Sequence, residues 1–163
     1  AYEARGFDLE QIARDYVDVL NRVIEWKPED LVVNMHICRG NFRSTWFSSG
    51  GYEPVAKTLF GHCRVDGFFL EYDSDRAGDF TPLRYIKDQK VVLGLITSKS
   101  GNLEDKGEVI ARIKEASQYV PLEQLCLSPQ CGFSSTEEGN ILTIEAQWDK
   151  LKLIDEIVHE VWG

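Results

Sequence analysis

Hydrophobic positions along the chain fall into two alternating patterns. Leu9, Ile12, Ala13, Tyr16, Val17, Leu20, Val23 and Ile24 recur every three or four residues, which predicts an amphipathic helix over 8–26. Its start, Asp8-Leu9-Glu10-Gln11, has the form of a capping box, and Pro28 stops it. Four other stretches, 31–37, 65–70, 90–97 and the run beginning at 125, are short and unbroken, as strands covered on both faces are. Between them the helical period returns over 52–60, 108–120 and 142–162. The last of these turns Ile144, Trp148, Leu151, Ile154, Ile157, Val158 and Val161 inward. Thr81-Pro82 adds one more helix start. The order is α-β-α-β-α-β-α-β-α. That predicts an α/β unit over 1–163, four parallel strands alternating with helices, without repeat, linker or low-complexity tract.

Each predicted strand places unusual polar residues at its C-terminal end: His36 and Cys38, then Glu71, then Ser98 and Lys99, then Cys131. Ligand sites of parallel α/β folds lie at that edge of the sheet. Asn34, His36 and Cys38 alternate with apolar residues, so all three share one strand face. One imidazole, two thiolates and one carboxylate complete a tetrahedral set of the kind zinc takes. Singly, each has a plainer reading: a core histidine bonded to a carbonyl, two buried thiols, a salt-bridged glutamate. Their coincidence at one rim is what favours a metal. Cys63, before a strand, and Cys126, in mid-strand, are read as packing residues.

Composition narrows the class. The chain has 163 residues, 43% hydrophobic and 28% charged, as expected of one globular unit. A formal charge of −9, with no Lys/Arg cluster, argues against a nucleic-acid partner. No apolar run approaches the roughly 20 residues that span a bilayer. Four cysteines without a secretory signal read as reduced thiols or ligands, which places the protein in the cytoplasm.

The motifs His36-Ile37-Cys38-Arg39-Gly40-Asn41-Phe42-Arg43, Gly50-Gly51-Tyr52-Glu53-Pro54, Phe69-Leu70-Glu71-Tyr72-Asp73 and Leu127-Ser128-Pro129-Gln130-Cys131-Gly132-Phe133 resemble the cobalamin-independent methionine synthase family. The short single-barrel members are the better match. The resemblance implies the C-terminal half of a TIM (β/α)8 barrel. It also implies Zn2+ on His36, Cys38, Glu71 and Cys131, and methyl transfer to homocysteine. Zinc would hold the acceptor as thiolate, since a free thiol with a pKa of about 8.5 is mostly protonated at neutral pH. Arg39, beside Cys38, is the candidate for an anionic substrate group, with Asn34 and Ser98 as further candidate substrate contacts.

Two departures from the family stand out. Where the methionine synthases carry Asp-x-His, thought to assist proton transfer to the folate leaving group, this chain has Thr97-Ser98-Lys99. Lys99 is either a catalytic cation for the donor or a solvated loop lysine, and methyltetrahydrofolate is weakened as donor. Four strands are also half of what a closed barrel needs, so the N-terminal half or a second copy is the expected partner. Two other readings stay open: a corrinoid-linked methyltransferase of the same superfamily, or a non-catalytic zinc-binding or assembly fragment. The aromatics Phe42, Trp46 and Phe47 are expected to pack their loop down rather than to stack on a donor ring.

Overall fold

A computed structural model describes residues 5–163. Helix α1 (Leu9–Ile24) begins where Asp8 accepts hydrogen bonds from the Glu10 and Gln11 amides. Strand β1 (Asn34–Ile37), helix α2 (Glu53–His62) and strand β2 (Gly67–Glu71) follow. After β2 come short 3-10 turns at Asp75–Ala77 and Thr81–Tyr85, then β3 (Lys90–Ile96), α3 (Lys106–Ala116), β4 (Leu125–Pro129) and α4 (Ile144–Trp162). Thr81-Pro82 therefore opens only a 3-10 turn. Phe80, Pro82 and Leu83 are buried there, and the turn packs against α2.

The sheet order is β1-β2-β3-β4, every pair parallel. Strands laid down in sequence order, with no reversal, wind as a barrel arc does and not as a doubly wound sheet does. β1 starts at Asn34 and not at Leu31, because pairing with β2 begins at Asn34 opposite Gly67. Leu31 and Val32 lie outside the ladder and are exposed.

The two faces of the sheet differ. Phe68, Leu70, Val91, Leu93, Leu95 and Leu125 point to the helices and join Phe60, Ile113, Ala116 and Ile157 in one core. On the other face His36, Phe69, Val92 and Cys126 form one register row. His36 is exposed there, and Phe69 and Cys126 are half-buried. Helix α4 departs from its expected phase. It buries Lys150, Leu153 and Ile157, while Ile144 and Trp148 are exposed. Lys150 is tolerated because its ammonium donates to the Asn102 carbonyl and both oxygens of Glu104. Among the described residues, no helix is long and apolar enough to cross a membrane.

Candidate metal centre

Parallel register brings the polar tips together. Ile37 pairs with Leu70, so Cys38 and Glu71 follow side by side at the ends of β1 and β2. Cys131 arrives two residues beyond β4. The backbone crosses to that point by a bulge between Gly94 and Ile96, where a side chain at Gly94 would meet the Gln130 Cα at 2.6 Å. One donor atom from each of His36, Cys38, Glu71 and Cys131 lies within 4.8 Å of the others.

Each donor is held differently. The Cys38 and Cys131 sulfurs are 3.8 Å apart, unbonded, and Cys38 Sγ accepts the Gly40 N–H at 3.3 Å. Glu71 is fully buried, yet neither carboxylate oxygen has a hydrogen-bond partner among the described residues. His36 Nε2 and Arg76 Nη2 approach its two oxygens at 3.8 and 3.7 Å, beyond hydrogen-bond reach. A buried carboxylate without a hydrogen bond is expensive unless a closer cation completes it. Two sulfurs each about 2.3 Å from zinc at a tetrahedral angle lie about 3.8 Å apart. The residues present therefore fit a zinc ion by donor chemistry, spacing and the unmet need of Glu71.

What supports Glu71 comes from residues with another expected role. Arg39 is buried: its guanidinium donates to the Glu71 carbonyl and the Tyr52 hydroxyl at 2.8 Å each and to the Gly50 carbonyl, and it stacks on the Tyr52 ring. Those partners occupy most of the guanidinium and leave it 6% exposed. Alternation explains this, since the residue after Cys38 leaves on the opposite side of the strand. Tyr52 accepts the Glu71 N–H at 2.8 Å, and burial pushes its phenol up to about 12, so it stays protonated. Arg39 and Tyr52 thus grip the backbone of Glu71. The Gly50-Gly51-Tyr52 motif carried that information without disclosing its role.

A cleft of about 430 Å3 opens beside the cluster, lined by His36, Phe69, Pro129, Phe133, Gln147 and Leu151 among others. It is mostly apolar with a chemical cluster at one wall, the form of a small-molecule site.

No family model matches the chain. The "Uncharacterized protein YxjH" of Bacillus subtilis is 54% identical over 161 residues, 98% of this chain and 43% of the relative. A Listeria monocytogenes structure assigned as a vitamin-B12-independent methionine synthase superposes with a TM-score of 0.76 at 47% identity, over 97% of this chain and 43% of that one. This chain is similar to proteins described as B12-independent methionine synthases. The methionine synthase of Pyrococcus horikoshii is 23% identical over 116 residues, 71% of this chain and 30% of the relative. The Shewanella B12-independent methionine synthase solved with selenomethionine shares the fold, with a TM-score of 0.70 at 23% identity over 88% of this chain. The chain thus spans less than half the length of the relatives it matches.

The remaining candidates in this methionine-synthase-like arc fall on both sides of expectation. Asn34 shares the face of His36 but lies at the far end of β1, its side chain against Gly67, and does not join the cluster. Ser98 is fully buried: its N–H donates to Gln130 Oε1 at 2.6 Å, and its own hydroxyl lacks a partner among the described residues. Lys99 is neither solvated nor free. Its ammonium donates to the Gly40 carbonyl at 2.9 Å, Asn41 Oδ1 at 2.6 Å and the Thr45 carbonyl at 2.8 Å, and burial lowers its pKa. Phe42, Trp46 and Phe47 are exposed and do not pack their loop down. That loop is held by polar contacts instead, and Trp46 lies over the Arg76 guanidinium at 4.6 Å.

Proposed function

We propose that this chain is part of a zinc-dependent enzyme that transfers a methyl group to a thiol, homocysteine giving methionine. The observation that carries it is the four-donor cluster whose buried carboxylate has no hydrogen-bond partner among the described residues. His36, Cys38, Glu71 and Cys131 would hold the ion, which supplies Lewis acidity to keep an acceptor thiol deprotonated at neutral pH. The cleft beside His36 and Phe69 takes the aliphatic part of the acceptor and limits water around its sulfur. In the transfer the acceptor sulfur forms a bond to the methyl carbon while the donor's bond to that carbon breaks. The donor keeps the electron pair and takes up a proton. Lys99 has all three N–H groups committed to carbonyl oxygens, so that proton comes from another group or from water. This supports a positioning role for Lys99 and leaves methyltetrahydrofolate as a donor to be tried, not assumed.

Relatives more than twice as long support a second half of barrel, or a second copy, closing the exposed face. Two adjacent thiols kept as metal donors and not as a disulfide suit a reducing compartment, which supports the cytoplasm.

The experiment measures zinc in the purified protein and methionine formed from homocysteine and methyltetrahydrofolate, with wild type beside Cys131→Ser. About one zinc per chain, lost together with methionine formation in the variant, is expected. Methionine formation that survives chelation and Cys131→Ser would overturn the reading. If chelation instead unfolds the protein, the ion is structural.

A further inference from the structure

We propose that Asn41, oriented by Lys99, is the positioning residue that sets the distance between the Cys38 and Cys131 sulfurs. The proposal deepens the zinc reading above, on which it rests for its purpose but not for its geometry.

The two sulfurs belong to loops 93 residues apart in sequence. Asn41 joins those loops directly beside them. Its amide nitrogen donates to the Gly132 carbonyl and to the Ser135 hydroxyl, both at 2.6 Å. Gly132 follows Cys131, and Ser135 Oγ itself lies 3.9 Å from Cys131 Sγ. Asn41 is 8% exposed, so water competes little for these bonds.

An amide can flip, and only one orientation makes this bridge. Lys99 decides it. An ammonium has no lone pair to offer, so its 2.6 Å partner on Asn41 must be the amide oxygen, which leaves the NH2 for the Cys131 loop. The other Lys99 protons hold the Gly40 and Thr45 carbonyls, fixing the turn that carries Asn41. Gly40 is the pivot of that turn. Its φ of +100° suits glycine, and a side chain there would strike the Phe47 amide at 2.6 Å. Its N–H reaches Cys38 Sγ while its carbonyl is held by Lys99, so a single peptide turn registers one sulfur against the cation. The arrangement accounts for asparagine at this position, since a carboxylate would place an oxygen without hydrogen against the Gly132 carbonyl.

The test uses the protein carrying Asn41→Asp, Lys99→Met, or both, with Asn41→Ser as the milder variant should either fail to fold. Two readouts apply. Zinc affinity is measured by chelator competition. Sulfur spacing is measured without metal, as tight bridging of the reduced protein by phenylarsine oxide, which needs two adjacent thiols, with Cys131→Ser as the single-thiol control. Asn41→Asp is expected to weaken zinc by about 10–100-fold and to reduce arsenical binding to the level of that control, with metal-free melting within a few degrees of wild type. The double variant should lose no more than Asn41→Asp alone, because the two residues act as one unit. Wild-type zinc affinity and arsenical bridging in Asn41→Asp would overturn the proposal, as would losses that add in the double variant. Wild type that bridges the arsenical but ignores zinc, with bridging lost in Asn41→Asp, would sink the zinc reading and keep this one.

Discussion

Strand β2 carries a carboxylate at each end, and the molecule treats them in opposite ways. Asp66, just before the strand, accepts the Val33 N–H at 2.6 Å and both its oxygens meet the Lys27 ammonium, while it stays partly open to solvent. Glu71, at the strand's end, is sealed from solvent, and its carboxylate oxygens accept no hydrogen bond among the described residues, with the Arg76 guanidinium no closer than 3.7 Å. The lower carboxylate is a satisfied structural tie between β2 and the turn after α1. The upper one breaks the rule that buried polar groups are paired, and such local violations concentrate where chemistry is done. Between them lies the apolar stretch that carries the fold. The molecule therefore separates its tasks along one strand: anchoring below, packing through the middle, and the proposed metal donor above.

The largest effect should come from the middle. Phe68 is fully buried, edge-on to Phe60 with ring centroids 5.1 Å apart. Phe68→Ala should cost about 3–5 kcal/mol of stability, through lost burial and the cavity left behind. Below the shifted melting transition, zinc binding should be unchanged, because Phe68 faces the helices and the cluster does not. Denaturant melts and zinc titration together check this. A variant of full stability would mean that the helix-packed face does not carry the fold.

Glu71→Gln should produce a smaller effect of opposite sign on the two tasks. The amide keeps the volume and removes a buried charge whose nearest guanidinium, Arg76 at 3.7 Å, is beyond hydrogen-bond reach, so the metal-free protein should gain about 1 kcal/mol. For a domain of this size that raises the melting temperature by about 2–4 °C. Zinc affinity should fall at the same time, since a neutral amide oxygen is a poorer donor than a carboxylate. Calorimetry with and without zinc reads both changes. Loss of stability in the metal-free variant would show that Glu71 belongs to the fold, as Asp66 does.

How far the sequence disclosed this arrangement depends on the range of the interaction. The strands and their order followed from local pattern, and so did the gathering of His36, Cys38, Glu71 and Cys131, because parallel winding delivers strand ends to one rim. Roles set by distant partners did not follow. Arg39 looked like a substrate contact because it adjoins Cys38, yet its partners are Gly50, Tyr52 and Glu71. Lys99 looked catalytic or solvated, and its partners lie 54 to 59 residues away. Lys150 should have marked the solvent side of α4, but Glu104, 46 residues earlier, makes its burial tolerable and turns the helix so that Trp148 is exposed. Apolar aromatics misled for a related reason: Phe42, Trp46 and Phe47 sit on a loop already fixed by hydrogen bonds, so their burial is not what holds it.

The smallest effect should come from Asp66, and its pH dependence has a definite sign. The Val33 amide first, and then Lys27, hold its carboxyl below the ordinary aspartate range. A depressed folded-state pKa means the unfolded chain takes up the proton first as pH falls. The stabilisation is therefore complete above the unfolded value of about 3.9 and drains away as pH drops through the folded one. Because the pair is partly open to solvent, the whole contribution should stay under about 1 kcal/mol and shrink in high salt. Asp66→Asn should thus melt slightly below wild type at pH 6, and the two curves should converge as the pH falls through the folded value. The amide can still accept the Val33 N–H, so the part that disappears is the share owed to the charge. If the two proteins melt together at every pH, that charge contributes nothing at the lower end of β2, and the contrast with Glu71 reduces to burial alone.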